Sequence, residues 1–136
     1  MVDVQNIPTW LLVVALALFD QEGRVLLQQR PPGKHHGGMW EFPGGKVEVS
    51  EKPVKALIRE IAEELGLELD AAMLEPAFFA EEGTDPAIVL NLYTSRQPVG
   101  EPRALEGQDW GWFSLAQAAA LPLAPMDRKL LSRFAG

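Results

Sequence analysis

Gly45-Lys-Val-Glu-Val-Ser-Glu51-Lys-Pro53-Val-Lys-Ala-Leu-Ile-Arg59-Glu60-Ile-Ala-Glu63-Glu64-Leu-Gly66-Leu67 reads as a turn running into a helix. Pro53 suits a first helical position, good helix formers follow from Val54 to Leu65, and Gly66 stands where a C-terminal stop is expected. On a helical wheel Val54, Leu57, Ile58, Ile61 and Leu65 form an apolar side, and Glu60, Glu63 and Glu64 are expected together on the other. Glutamates three and four residues apart repel one another unless something positive sits among them. A hard divalent cation such as Mg²⁺ takes carboxylate and carbonyl oxygens and keeps positions open for substrate phosphates. The bland alternative is a solvated acidic face.

The surrounding pattern favours the cation. Gly45, five residues, Glu51, seven residues, Arg59-Glu60, an aliphatic, one residue, Glu63-Glu64, one residue, Gly66 and an aliphatic match the Nudix hydrolase signature at every fixed position. Beyond these 23 residues the chain resembles the MutT branch of that superfamily, through Gly23-Arg-Val-Leu-Leu27, Arg30, Trp40-Glu-Phe-Pro-Gly-Gly-Lys46, Glu106-Gly-Gln108 and Trp112-Phe-Ser-Leu115.

The resemblance implies an α/β (α+β) fold, the Nudix α/β/α sandwich with a mixed central β-sheet, in a single domain over residues 1–136. It implies Mg²⁺, with Mn²⁺ as a substitute, held by Glu60, Glu63, Glu64, Glu106 and the carbonyl of Gly44. Arg59 is implied to pair with Glu51 and orient the cluster; Arg30 and Lys46 to meet the phosphates; Glu41, Phe42 and Asp127 to line the substrate site. The implied reaction is that of a nucleoside triphosphate pyrophosphohydrolase, NTP and water to NMP and pyrophosphate, with 8-oxo-dGTP as a candidate and nucleotide-pool sanitation as the role. Either Glu60 or Glu106 can take the proton from water.

Three positions depart from the family pattern. Ser50 and Lys52 flank Glu51 where Gly and Ser or Thr are usual, and a Lys cap costs about 1 kcal/mol at the helix start unless Ser50 substitutes. Pro125 or Met126 falls where MutT has the asparagine that reads the oxidised purine. Asp127 is the nearest polar replacement, and equally a cap for the last helix. Other linkages therefore stand beside 8-oxo-dGTP: a pyrimidine triphosphate such as CTP, ADP-ribose, or a dinucleoside polyphosphate. The proline and tyrosine markers of the last two are missing. A non-catalytic ligand sensor is a further alternative, disfavoured by the full set of carboxylates.

The chain has 136 residues, 47% hydrophobic and 23% charged, which suits a soluble globular domain with a real core. A net charge of −7 argues against nucleic-acid polymers and anionic membranes as partners, though not against nucleotides bound through metal. There are no cysteines. No run is long enough to span a bilayer and no secretion signal is legible, so the cytoplasm is expected.

In chain order, residues 1–8 read as a loose lead-in. Trp10–Phe19 reads as a strand covered on both faces, and Arg24–Arg30 as its return, in a central hairpin turned by Asp20–Gly23. Pro31–Gly38 is a loop, whose His35 and His36 are expected to face solvent. Strands follow at Ala77–Ala80, Ile88–Thr94 and Asp109–Phe113, a Ser114-capped helix to about Leu121, and a helix from Asp127 to Phe134. Trp10, Trp40, Trp110 and Trp112 are available to stack on a base, but usual burial favours the core.

Overall fold

The structure, a computed structural model, describes residues 10–135; the expected lead-in at 1–8 lies outside them. Nine residues, Trp10–Leu18, form β1 at the centre of the molecule. Strands β2 (Val25–Gln29), β3 (Trp40–Glu41) and β4 (Gly44–Lys46) precede helix α1 (Pro53–Leu65). A 3-10 turn at Ala71–Met73, β5 (Glu75–Glu82), β6 (Ala87–Ser95), β7 (Asp109–Phe113), α2 (Leu115–Ala119) and α3 (Pro125–Ala135) complete the order.

The strands make a mixed four-stranded sheet, β4-β1-β6-β5, and an antiparallel three-stranded sheet, β3-β2-β7. In β1 the side chains alternate between two cores. Val14, Leu16 and Leu18 pack with Ala56, Leu57, Ile61 and Leu65 of α1, whereas Ala15, Ala17 and Phe19 pack with Leu90, Leu92, Leu130 and Leu131 on the α3 side. Helices on both faces explain why this strand is an unbroken apolar run. Only its start is open, where Trp10 is 49% exposed, against the expectation of a core tryptophan.

The expected hairpin of β1 and β2 is a correction. The turn is there, with Asp20 Oδ1 accepting the N–H of Glu22 and of Arg24 at 2.9 and 2.8 Å. The strands then meet only at a bridge between Phe19 and Val25 and enter different sheets. A strand has two edges, and both edges of β1 are taken, by β4 at Val13–Ala15 and by β6 in parallel along all nine positions. The short strands β3 and β4 carry too few residues for a period to show. The strands β5 and β6 run longer than expected because Glu81 and Glu82 pair with Val89 and Ile88. The last helix opens two residues early, on Pro125, whose fixed φ suits a first turn.

Helix α1 spans the expected residues. Gly66 closes it at φ 67°, its N–H donating to the Ala62 carbonyl. At the other end Lys52 offers no side-chain cap and Ser50, at φ 66°, does not replace it.

Candidate active site

Helix α1 faces a cleft of about 140 Å³ lined by Gln28, Arg30, Lys34, Glu41, Gly44, Glu64, Glu106 and Gln108, among others. Arg30, Glu41 and Gly44 also line a larger, mainly apolar cavity of about 410 Å³, which reaches Leu11, Val13, Phe42, Leu90, Met126 and Asp127. A charged cleft thus opens beside an apolar chamber.

The three helix glutamates do not share one face as expected. At about 100° per residue Glu64 falls only about 20° from Leu57, and it is 6% exposed among the core residues of the helix. Burial pushes its carboxyl up to about 9, helped by the neighbouring Glu60 carboxyl within hydrogen-bonding reach and by the charge of Glu106; the Gln28 amide pulls the other way. Glu63 instead turns to Arg59, at 3.4 Å, with its side chain 54% exposed. It lines neither cavity.

Arg59 binds Glu51 bidentately, Nε to Oε2 at 2.8 Å and Nη2 to Oε1 at 2.9 Å. Its Nη1 reaches Glu60 Oε1 at 2.8 Å, and Nη2 donates to the Lys46 carbonyl at 3.2 Å. These bonds tie the helix to the loop before it. The guanidinium, first by hydrogen bonding, holds the Glu51 carboxyl down at about 2. The strand β4 passes so close that a Cβ on Gly45 would collide with the Glu60 carboxyl, and one on Gly44 with the Val14 carbonyl.

Across the cleft Arg30 Nε meets Glu41 Oε1 at 2.8 Å and Nη1 donates to the His35 carbonyl at 3.3 Å. Lys46 is exposed on β4 at the rim of the larger cavity, with His35 and His36. Asp127 sits inside the first turn of α3 rather than ahead of it, and its Oδ1 accepts the Phe42 N–H at 2.9 Å across the chain. Burial, above all, raises its carboxyl to about 7. None of the four tryptophans lines either cavity.

Two glutamines escaped the sequence reading. Gln28 Nε2 donates to Glu64 Oε1 at 2.9 Å; Gln108 Nε2 donates to Gln28 Oε1 at 3.2 Å and to the Glu64 carbonyl at 2.8 Å. Gln108 Oε1 accepts the Glu106 N–H at 3.0 Å. The one sign available was a polar residue following Val25, Leu26 and Leu27 in a strand meant for the core.

The NUDIX domain family matches residues 9–134. The chain belongs to the Nudix family. Among similar Nudix proteins is a CTP pyrophosphohydrolase of Escherichia coli, 37% identical over 124 residues, 91% of each chain. An 8-oxo-dGTP diphosphatase of Haemophilus influenzae is 35% identical over 90% of this chain and 89% of its own. The solution structure of the ORF135 protein of E. coli superposes at a TM-score of 0.80 with 36% identity, covering 93% of this chain and 89% of that one. Its fold is accordingly the mixed-sheet Nudix fold, and the chain is a Nudix hydrolase acting on phosphoanhydride bonds. Nudix hydrolases generally need a divalent metal, usually Mg²⁺.

The residues present fit such an ion. The carboxyls of Glu64 and Glu106 and the Gly44 backbone offer hard oxygen ligands at the cleft, and burial penalises the charge of Glu64 unless a proton or a cation joins it. Among the described residues no three acidic or histidine side chains converge as a finished cage. Mg²⁺ is commonly held by one or two carboxylates and completed by water and substrate phosphate. No helix among the described residues is long and apolar enough to cross a membrane.

Proposed function

We propose that this Nudix hydrolase converts a nucleoside triphosphate and water to a nucleoside monophosphate and pyrophosphate, using Mg²⁺ or, in its place, Mn²⁺. The observation that carries the reading is the buried Glu64, with Glu60 against it, at a cleft that shares its Arg30–Glu41 wall with an apolar chamber. The cleft suits a polyphosphate and the chamber a base.

In this reading Glu60, Glu64 and the Gly44 carbonyl hold the cation, and Glu63 joins them once it leaves Arg59. When bound, the cation would neutralise phosphate charge and polarise the phosphoryl group. Arg59, through its pairing with Glu51, keeps the helix carboxylates aimed at the cleft. Arg30 and Lys46 meet the phosphates; the planar guanidinium suits paired phosphate oxygens. Glu106 faces the cleft from the loop before β7, whereas Glu60 is bound to Arg59. We therefore assign to Glu106 the proton of the attacking water. Water oxygen bonds to phosphorus, the anhydride bond breaks, and the electron pair leaves with pyrophosphate.

The chamber supports a base that offers hydrogens. Phe42 supplies an apolar wall, and the Asp127 carboxylate, when ionised, accepts from an exocyclic amine. Cytosine and 8-oxoguanine both carry one, in keeping with the names of the two relatives, and uracil does not. Turnover of CTP, UTP, dGTP and 8-oxo-dGTP with Mg²⁺, read as pyrophosphate released, tests this. Release from CTP or 8-oxo-dGTP at ten or more times the UTP rate is expected. No pyrophosphate from any of them would falsify the reading.

A further inference from the structure

The glutamine pair under the cleft has no part in the reaction as written, yet it touches every carboxylate-bearing wall. Gln28 is 6% exposed and Gln108 5%. From β2, the Gln28 amide nitrogen reaches Glu64 Oε1 at 2.9 Å and, more weakly, Glu41 Oε2 at 3.4 Å. Glu41 in turn holds Arg30. The amide oxygen is committed to Gln108, whose own oxygen takes the Glu106 N–H.

This chain of bonds has one consistent direction. Because Gln108 donates to Gln28 Oε1, the Gln28 amide cannot turn to present its oxygen to Glu64 without losing both bonds. A neutral donor therefore faces a buried carboxyl at fixed distance, adding no charge that would compete with a cation. A lysine or arginine here would be that competitor.

We infer that Gln28 is a positioning residue for the metal-binding carboxylate, held in its donating orientation by Gln108, and that the pair sets divalent-cation affinity. The inference rests on the assignment of Glu64 to the cation. Partners that orient a ligand in this way typically change metal affinity by about 10- to 100-fold when removed.

Mn²⁺ binding to the nucleotide-free protein, counted by electron paramagnetic resonance of the free ion, is the direct measurement. Gln28→Leu is expected to weaken it by at least about tenfold. Gln28→Met, which keeps the length and volume and removes the amide donor without adding charge, guards against a misfolded leucine variant and is expected to lose as much. In turnover, the Mg²⁺ concentration for half-maximal rate should move further than kcat. A merely structural part would instead lower the melting temperature and kcat together. Wild-type affinity in folded Gln28→Leu and Gln28→Met overturns the inference and leaves the active-site reading standing; no Mn²⁺ binding by the wild type overturns both.

Discussion

Asp127 couples the last helix to the strand end at Phe42, and its burial gives that coupling a pH dependence. Its carboxyl is raised from 3.8 to about 7, chiefly by burial. Below pH 3.8 folded and unfolded chains both hold the proton; between 3.8 and 7 only the folded chain does, so this group makes stability fall as pH rises through that window. The loss is on the order of a few kcal/mol at most. Asp127→Asn, which keeps an acceptor for the Phe42 N–H but cannot ionise, should flatten the slope in urea titrations between pH 4 and 8. An unchanged slope would show that the carboxyl ionises freely in the fold. The same change should narrow the preference for CTP over UTP by about tenfold, the worth of one charge-assisted hydrogen bond. This residue also marks what the sequence could convey. Its polarity beside Pro125 and Met126 was legible as either a base contact or a cap. Its actual partner, Phe42 N–H, lies 85 residues away, and no local pattern carries that distance. Glu64 was misplaced for a related reason: three consecutive-turn glutamates look like one face, until the wheel puts the third beside Leu57.

At the scale of elements, α1 and β4 form the working unit, and their neighbouring glycines separate folding from function. A Cβ on Gly44 meets backbone, the Val14 carbonyl and, at 2.7 Å, the Ala15 Cα. Gly44→Ala should therefore break the β1–β4 ladder and cost several kcal/mol. The atoms nearest a Cβ on Gly45 are the end of the Glu60 side chain, which can swing aside. Gly45→Ala is expected to melt within a few degrees of the wild type while losing at least about tenfold in kcat, because Glu60 is displaced from its place beside Glu64 and Arg59. Equal loss of stability in both variants would contradict this division. The helix start offers the opposite experiment. Lys52 has the extended conformation of a cap, φ −74° and ψ 144°, without a capping side chain. Lys52→Thr should add about 1 kcal/mol, read as a higher urea midpoint with an unchanged m value. The helix was legible from proline to glycine because its stop signals and apolar spacing are local. Strand pairing was not. The turn at Asp20–Gly23 pointed to a hairpin, but which strand lies beside β1 depends on β6, more than 70 residues on.

Seen whole, the molecule carries a net charge of −7, while the proposed substrate is a polyanion. Arg30, Lys34 and Lys46 at the cavities supply local positive charge, but Arg30 is paired with Glu41 and Arg59 with Glu51 and Glu60. The carboxyls at the cleft, Glu41, Glu64 and Glu106, thus call for a counter-charge from outside the chain, and the fold itself should register its arrival. A ligand that binds the folded state alone stabilises it by RT ln(1 + [L]/Kd), about 2.7 kcal/mol at a hundredfold excess over Kd. For a chain of this length that is on the order of 10 °C in melting temperature. Saturating Mg²⁺ at pH 8 should raise the melting temperature of the wild type by this order, and Mn²⁺ likewise, whereas monovalent salt at matched ionic strength should not. Glu64→Gln removes a carboxyl that at pH 8 must take up a proton to stay buried unless a cation joins it. It should melt above the wild type in the absence of metal and gain little from Mg²⁺. Cation and substitution thus raise the melting temperature for the same reason, and the second leaves the first little to add, so scanning calorimetry of both proteins, each with Mg²⁺ and with chelator, reads them together. A wild type whose melting is indifferent to Mg²⁺, with Glu64→Gln no more stable than it in chelator, would leave the buried carboxyl without the role given to it.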